Sequence, residues 1–305
     1  MINSKTVLVL GAGASTPYGF PLGRNLLLEI GRELYSGSVN PYQTRLIECG
    51  FSIDDLQRFA VELLNSMQPS VDAFLENRPE YMQIGKHAIA AKLVPFELEE
   101  RLIRREKNND GFGWYEYLFN QLGARKDDFS KNRISIITFN YDRSLEYFLF
   151  VALKFSYGIS MDDAAKLVSG IPIVHVYGQL SRLDFIDLGG RSYLPDVNPE
   201  IISKCASEIS IIHEGTLTTQ AILQAREMIS QAETMCFLGF GFHELNIQRL
   251  EVNKLFTGNR FWGTAYGLKN AERERIRSLF DKRIELGSDS EDVLTYIRQY
   301  PVFVG

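Results

Sequence analysis

Short apolar runs separated by amphipathic segments make up most of the chain outside one long central stretch. Most of the runs are apolar at successive positions, which is typical of strands in a parallel sheet that is covered on both faces. Because helical patterns lie between them, we predict an α/β protein with a Rossmann-like, doubly wound parallel sheet of about six strands. The predicted strands are Thr6 to Leu10, Ile134 to Phe139, Ile171 to Val176, Glu208 to Ile212, Met235 to Leu238 and Arg260 to Ala265.

Residues 41–130 break this alternation, because they contain several helical patterns and no convincing strand. Ser52 followed by Asp55 is typical of a capped helix start. We therefore predict a helical insertion subdomain at 41–130 and a discontinuous Rossmann-like domain made of 1–40 and 131–305. The helices predicted within that domain are Leu22 to Tyr35, Ser144 to Phe155, Met161 to Val168, Thr218 to Ala232 and Leu245 to Leu255.

Charge and cysteine content exclude several classes of function. A net charge of -5 argues against a surface that neutralises many phosphates, so direct nucleic-acid binding is not expected. Cys49, Cys205 and Cys236 lie far apart and form no CxxC pair, which indicates neither a disulfide framework nor a four-thiolate zinc site. No apolar run approaches the roughly 20 residues of a membrane helix. We expect a cytoplasmic protein that does not bind membranes.

Residues that can bind ligands follow the apolar runs. In an open parallel sheet, ligands bind beyond the carboxyl ends of the strands. Gly11 to Ser15 follows the first run, Asn140 to Asp142 the second, His175 lies in the third, and Gly239 to Gly241 follows the fifth. Glycine turns let backbone N–H groups approach a pyrophosphate, although an ordinary tight turn uses the same residues. The placement favours a dinucleotide site.

Two other kinds of chemistry are disfavoured. A dehydrogenase fingerprint has a third glycine at position 16, where this chain has Thr16. His243 and Glu244 match the first half of a zinc-protease signature, but Ile247 stands where the second histidine is required. His213 with Glu214 is an alternative base or ribose contact, or simply part of a loop. Neither hydride transfer nor a metal site is predicted.

Four motifs, taken in order, resemble those of sirtuins. They are Gly11-Ala12-Gly13-Ala14-Ser15, Thr138-Phe139-Asn140-Tyr141-Asp142, His175-Val176-Tyr177-Gly178 and Phe237-Leu238-Gly239-Phe240-Gly241, which resemble the glycine loop, the Thr-Gln-Asn-Ile-Asp motif, the His-Gly motif and the late glycine motif. The chain is most similar to bacterial sirtuin-like proteins of antiphage defence, many of which look like NAD hydrolases. It departs from sirtuins by spreading the His-Gly pair and by lacking the four-cysteine zinc module, and the second departure disfavours protein deacylation.

The resemblance implies that NAD is the substrate and that no metal is needed. Asn140 and His175 would be catalytic. Asp142 would hold the nicotinamide carboxamide, and Ser15 would meet a phosphate or ribose. The implied NAD-binding residues are Gly11, Ala12, Gly13, Ser15, Asp142, Gly239 and Gly241.

The chemistry fits these residue types. Nicotinamide leaves as a neutral group, so cleavage needs no general acid, and the enzyme must stabilise an oxocarbenium-like transition state and activate a water. Asn140 can donate and accept hydrogen bonds to orient that water, and a histidine with a pKa near neutrality can act as base. Two alternatives remain. Asn140 can be a turn residue whose side chain bonds its own backbone. His175 can be a buried core histidine, since it shares the parity of Ile171 and Ile173 along the predicted strand.

An enzyme that drains NAD must be restrained. The resemblance implies control by homo-oligomerisation or by a partner such as a HerA-like ATPase or another sensor protein. The competing hypothesis is a noncatalytic scaffold that binds NAD or ADP-ribose through the same glycine turn.

Overall fold

The computed structural model describes residues 1–103, 113–211, 219–258 and 261–303. Six strands form one sheet in which every neighbouring pair is parallel, as predicted for this α/β fold, and the strand order is β3-β2-β1-β4-β5-β6. The strands are β1 (Thr6–Leu10), β2 (Ile134–Thr138), β3 (Ile173–His175), β4 (Thr234–Leu238), β5 (Phe261–Gly263) and β6 (Ile284–Leu286).

Helices flank the sheet, and several begin where a polar side chain caps them. Asn40, Ser52 and Ser70 each accept a hydrogen bond from the backbone N–H three residues on, which satisfies one of the unpaired donors of a helix start. The described α-helices are α1 (Gly23–Leu34), α2 (Pro41–Glu48), α3 (Ile53–Asn65), α4 (Val71–Asn77), α5 (Met82–Leu93), α6 (Glu99–Leu102), α7 (Trp114–Gln121), α8 (Ser144–Tyr157), α9 (Met161–Ser169), α10 (Pro199–Glu208), α11 (Gln220–Gln231), α12 (Glu244–Leu250), α13 (Val252–Leu255), α14 (Asn270–Leu279) and α15 (Val293–Gln299).

One predicted strand is wrong. Glu208 ends α10, and Ile209 makes only an isolated antiparallel bridge to Gly178, while residue 212 lies outside the described residues. Ile209 and Ile211 are nevertheless buried, so the apolar run marks burial of a connecting segment rather than a strand. The sixth place in the sheet belongs to β6, whose three residues are too short to stand out in the sequence.

The described part of residues 41–130 contains helices and no strand. These helices are not separate from the rest, because α5 packs against α10 and one continuous set of buried hydrophobic residues extends from the sheet into them. The insertion therefore shares its core with the sheet, and its helices α4 and α5 lie close to the strand ends.

Strand register brings the predicted site residues to one edge of the sheet. Leu10 is level with Thr138 on one side and with Leu238 on the other, and Thr138 is level with His175. The chain order along the sheet reverses between β1 and β4, which is where open α/β sheets bind ligands. The loops after β1, β2 and β4 thus start side by side.

Candidate active site

The loops after β1 and β4 pack directly against each other. The N–H of Gly11 donates to the Leu238 carbonyl at 3.0 Å, and the N–H of Gly13 donates to the Gly239 carbonyl at 2.9 Å. A Cβ on Gly11 would lie 2.6 Å from the Gly239 carbonyl oxygen, and one on Gly13 would lie 2.9 Å from the Gly239 Cα. Glycine is required at these positions because backbone contacts backbone.

This packing limits which N–H groups can meet a phosphate. The N–H groups of residues 11 and 13–15 already donate to carbonyls of the protein. The N–H of Gly239 donates to Thr264 Oγ1 at 2.8 Å. Among the predicted NAD-binding residues of the two glycine loops, all of which the structure describes, only Ala12 and Gly241 have an N–H without an acceptor. The prediction that the two glycine loops bind the pyrophosphate of NAD by backbone N–H groups therefore rests on these two.

Asn140 joins the loop after β2 to the loop after β1. Its side-chain Nδ2 donates to the Gly11 carbonyl and to the Ser15 hydroxyl, both at 3.0 Å, while its backbone N–H donates to Thr138 Oγ1 at 3.1 Å. Among the residues that the structure describes, none donates a hydrogen bond to Asn140 Oδ1. The side chain is therefore fixed through its donors and keeps an acceptor for a ligand, rather than bonding its own backbone as a turn residue would.

A small pocket lies beside this amide. Its volume is about 70 Å³, which is about two waters at the roughly 30 Å³ that a water takes in the liquid. The pocket can therefore hold part of a ligand but not a whole dinucleotide. The walls come from the loops after β1 and β2 and from α1, α4 and α5, and they include Ala12, Ser15, Phe20, Leu26, Asp72, Leu93, Phe139, Asn140, Tyr141 and Asp142.

Asp142 is a buried carboxyl in the wall of this pocket. It accepts hydrogen bonds from the backbone N–H of Ser144 at 3.2 Å and from the Ser144 hydroxyl. Burial raises the pKa of Asp142, hydrogen bonds from Ser144 and Ser15 oppose that rise, and the charge of Glu146 adds to it. Asp142 is thus a polar group in the pocket wall that can exchange hydrogen bonds with a ligand.

Asp72 is a second carboxyl in the same wall, and the sequence analysis did not single it out. It comes from the first turn of α4 and accepts a hydrogen bond from the Tyr141 hydroxyl. Burial raises the pKa of Asp72, and the charge of Glu76 adds to that rise, while hydrogen bonds from Tyr141 and Ser70 oppose it. The insertion therefore contributes a polar group to the candidate site.

His175 lies next to Asn140, but as a buried and fully engaged side chain. Its Nε2 is 2.6 Å from Glu146 Oε1, and its Nδ1 is 2.9 Å from the Asn140 carbonyl oxygen. Burial alone lowers the pKa of His175, yet the charge and hydrogen bond of Glu146 and the Asn140 carbonyl outweigh burial and raise it. The described residues that line the pocket and a smaller neighbouring cavity do not include His175.

Two buried ion pairs attach the insertion to the strand-end loops. Glu76 of α4 pairs with Arg249 of α12 at 2.8 Å, and Glu97 pairs with Arg143, next to Asp142, at 2.6 Å. The same Arg143 guanidinium donates to four backbone carbonyls between residues 181 and 192. The ion pairs and these hydrogen bonds hold α4 and the loop after β3 against the site.

Two aromatic side chains at the start of α7 contact the loop after β1. Trp114 Nε1 donates to the Ala14 carbonyl at 2.7 Å, and Tyr115 stacks on Tyr18 with ring centroids 3.7 Å apart. The Tyr115 hydroxyl is 2.7 Å from Ser144 Oγ, which in turn donates to Asp142. Trp114 and Tyr115 are therefore core residues of this chain, and they hold Ala14 and Ser144 in place around the site.

Sequence reasoning missed Asp72 and Glu146. Glu146 had a signal, because it lies in an otherwise apolar stretch of helix, where a carboxylate requires a buried partner. Asp72 had none, since only the packing of α4 brings it to the strand ends. His213 and Glu214, considered as an alternative base or ribose contact, lie outside the described residues.

Comparison with known proteins adds no identification. No protein-family model matches the chain, and no curated protein matches it. Within the described ranges, no three His, Cys, Asp or Glu side chains form a group able to hold a metal ion. None of the described helices has the length and apolar character that crossing a membrane requires.

Proposed function

We propose that this protein hydrolyses NAD at the bond between nicotinamide and ribose, releasing nicotinamide and ADP-ribose. One observation carries the proposal: Ser15, Asn140 and Asp142, from two different strand ends, surround a single small pocket. The pocket can take one end of the leaving group and offers it both hydrogen-bonding and apolar walls. The rest of the dinucleotide would extend toward the N–H groups of Ala12 and Gly241.

Each step of the reaction has a candidate group. The positive charge that develops on the ribose would be stabilised by nearby carboxylates, with Glu146 close behind the pocket. Asn140 Oδ1 would accept a hydrogen bond from a ribose hydroxyl or from the attacking water. Asp142 and Asp72 would hold the carboxamide of the leaving group. The leaving group departs neutral with the electron pair of the broken C–N bond, so no general acid is assigned. The water adds its oxygen to the ribose carbon and releases one proton to the solvent.

The biological part of the proposal is an NAD-depleting effector of antiphage defence, and its support is the ordered resemblance to sirtuin-like defence proteins. Unrestrained hydrolysis would exhaust the NAD pool of the cell. We therefore propose restraint by homo-oligomerisation or by a partner, such as a HerA-like ATPase or another sensor protein.

The test is a nicotinamide-release assay with NAD on the wild type, Asn140→Ala and a matched control. Asn65→Ala is the control, because Asn65 is an exposed asparagine on α3 that bonds only within its helix. We expect Asn140→Ala to lower release by about 100-fold, the lower end of what a positioned catalytic group contributes, and Asn65→Ala to leave it unchanged. Full activity in Asn140→Ala would refute the assigned site. The assay is run with and without a HerA-like ATPase as the candidate partner.

A noncatalytic scaffold that binds NAD or ADP-ribose is the second candidate. It is favoured by the engagement of both ring nitrogens of His175, which leaves no free imidazole among the described residues around the pocket. Calorimetric binding of NAD to the wild type, with no nicotinamide released under any activating condition, would select the scaffold over the enzyme.

A further inference from the structure

A continuous chain of hydrogen bonds runs from α8 through β3 to the loops after β2 and β1. Glu146 of α8 meets His175 Nε2 at 2.6 Å, and His175 Nδ1 meets the Asn140 carbonyl at 2.9 Å. Asn140 Nδ2 then donates to Gly11 and Ser15. The position of Asn140 therefore depends on both its neighbours, with His175 holding its backbone and the loop after β1 holding its amide.

The partners of the imidazole decide where its protons are. A backbone carbonyl only accepts hydrogen bonds, so Nδ1 must be the donor toward Asn140. Nε2 faces a carboxylate oxygen and shares a second proton with Glu146. Removing either proton would leave two lone pairs facing each other in a site where both side chains are less than a tenth exposed.

We propose that Glu146 and His175 form a positioning pair that fixes Asn140, and that His175 is not the base of the reaction. This inference rests on the proposed function, because it assigns a role within the same site. It departs from the role that the resemblance implies for this histidine. Nδ1–H of His175 donates to the Asn140 carbonyl and Nε2–H donates to Glu146, so neither ring nitrogen is available to take a proton from water.

The groups around the pair support this assignment. Glu146 faces His175 from α8, Asp142 faces it from the loop after β2, and no cation is among the groups that shift its pKa. The two carboxyls raise the pKa of His175 against the effect of burial. Removing the Glu146 charge would therefore lower the pKa of His175, because burial would then be opposed only by the Asn140 carbonyl and the Asp142 charge.

A direct test is an NMR titration of the histidine Cε1–H signals in the wild type and in Glu146→Gln. The chain has only four histidines, and His87 serves as an internal contrast because burial lowers its pKa. We expect His175 in the wild type to titrate above the ordinary value of about 6.5, and Glu146→Gln to lower its pKa while leaving that of His87 unchanged. A His175 pKa near 6.5 in the wild type that does not change in Glu146→Gln would overturn the proposal.

A second test separates positioning from base catalysis. An asparagine side chain carries its amide nitrogen the same number of bonds from Cα as Nδ1 of histidine, so it can donate to the Asn140 carbonyl but cannot take a proton from water. We compare His175→Asn with His175→Ala, both in the Glu146→Gln background so that no unpaired carboxylate is buried. His87→Gln is the control for losing a histidine elsewhere.

The two roles give different nicotinamide-release rates. The reference rate is that of the Glu146→Gln parent. If His175 positions Asn140, the asparagine variant stays within about tenfold of that parent, whereas the alanine variant loses about 100-fold relative to it, the effect of a misplacement near 1 Å. If both variants lose an equal 10²–10⁴-fold, the range typical of a lost general base, His175 is the base and the proposal is wrong. A wild type that releases no nicotinamide refutes the hydrolase, while the NMR titration still decides whether the pair exists.

Discussion

Replacing Gly239 with alanine tests whether the loops after β1 and β4 are packed as the structure shows. Gly239 has a φ of +57°, and an added Cβ would lie 2.0 Å from the Ala14 nitrogen and 2.3 Å from the Gly13 carbonyl carbon. Real Cβ contacts are essentially never shorter than 3.0 Å, so the loops must separate by about an ångström. The same movement would stretch the hydrogen bond between Gly13 and Gly239.

The magnitude follows from two costs. A left-handed conformation costs a residue with a side chain about 1–2 kcal/mol, and forcing an extra carbon into packed surroundings costs about 1–3 kcal/mol. The free energy of unfolding should therefore fall by about 2–5 kcal/mol. For 305 residues, an unfolding entropy of about 2.1 cal/mol/K per residue converts this loss to a fall in Tm of about 3–8 °C.

Gly241→Ala is the matched control, two residues further along the same loop. Its φ is not positive, and an added Cβ would have no heavy atom within 4 Å. Its Tm should stay within about 1 °C of the wild type, as for surface substitutions that change stability by less than about 0.5 kcal/mol. Thermal unfolding followed by calorimetry measures both variants. Equal Tm values for Gly239→Ala and the wild type would refute the packing argument.

Three further outcomes are expected. Glu97→Gln should lower the free energy of unfolding in urea by about 3–5 kcal/mol, because it leaves two buried guanidinium groups without their carboxylate, whereas exposed Glu100→Gln should change it by less than about 0.5 kcal/mol. Asp72→Asn should lower kcat/KM for NAD at least about tenfold, because it removes a charged hydrogen-bond acceptor worth about 1.5–3 kcal/mol. Asp54→Asn, at the same helix position in α3, should leave kcat/KM unchanged. Equal effects of the two substitutions would contradict a role for Asp72 in the pocket. Because the pKa of His175 is raised in the folded state, protonation of His175 stabilises the fold fully below the unfolded pKa of about 6.5, and this stabilisation is lost as the pH rises through the folded pKa. The difference in unfolding free energy between the wild type and the double variant His175→Asn, Glu146→Gln should therefore shrink from pH 6 to pH 9. A difference that grows with pH would contradict the pairing.

The class of the fold followed from periodicity because strands buried on both faces of a parallel sheet are continuous apolar runs. Five of the six predicted runs contain strands of the sheet. The error at residues 208–212 and the missed strand β6 have one cause. A run of three to five apolar residues shows that a segment is buried, but its pairing depends on which neighbour lies beside it.

Apolar periodicity alone was enough to place Gly11, Asn140 and Gly239 at strand ends, and the register of β1, β2 and β4 brings the three together. Which of their groups remain available is visible only in the folded chain. Folding engages the N–H of Gly11 with the last carbonyl of β4, engages both nitrogens of His175, and brings Asp72 from the insertion into the pocket wall. The reason is that hydrogen bonding and pKa depend on distances and burial in space, which chain spacing alone does not encode.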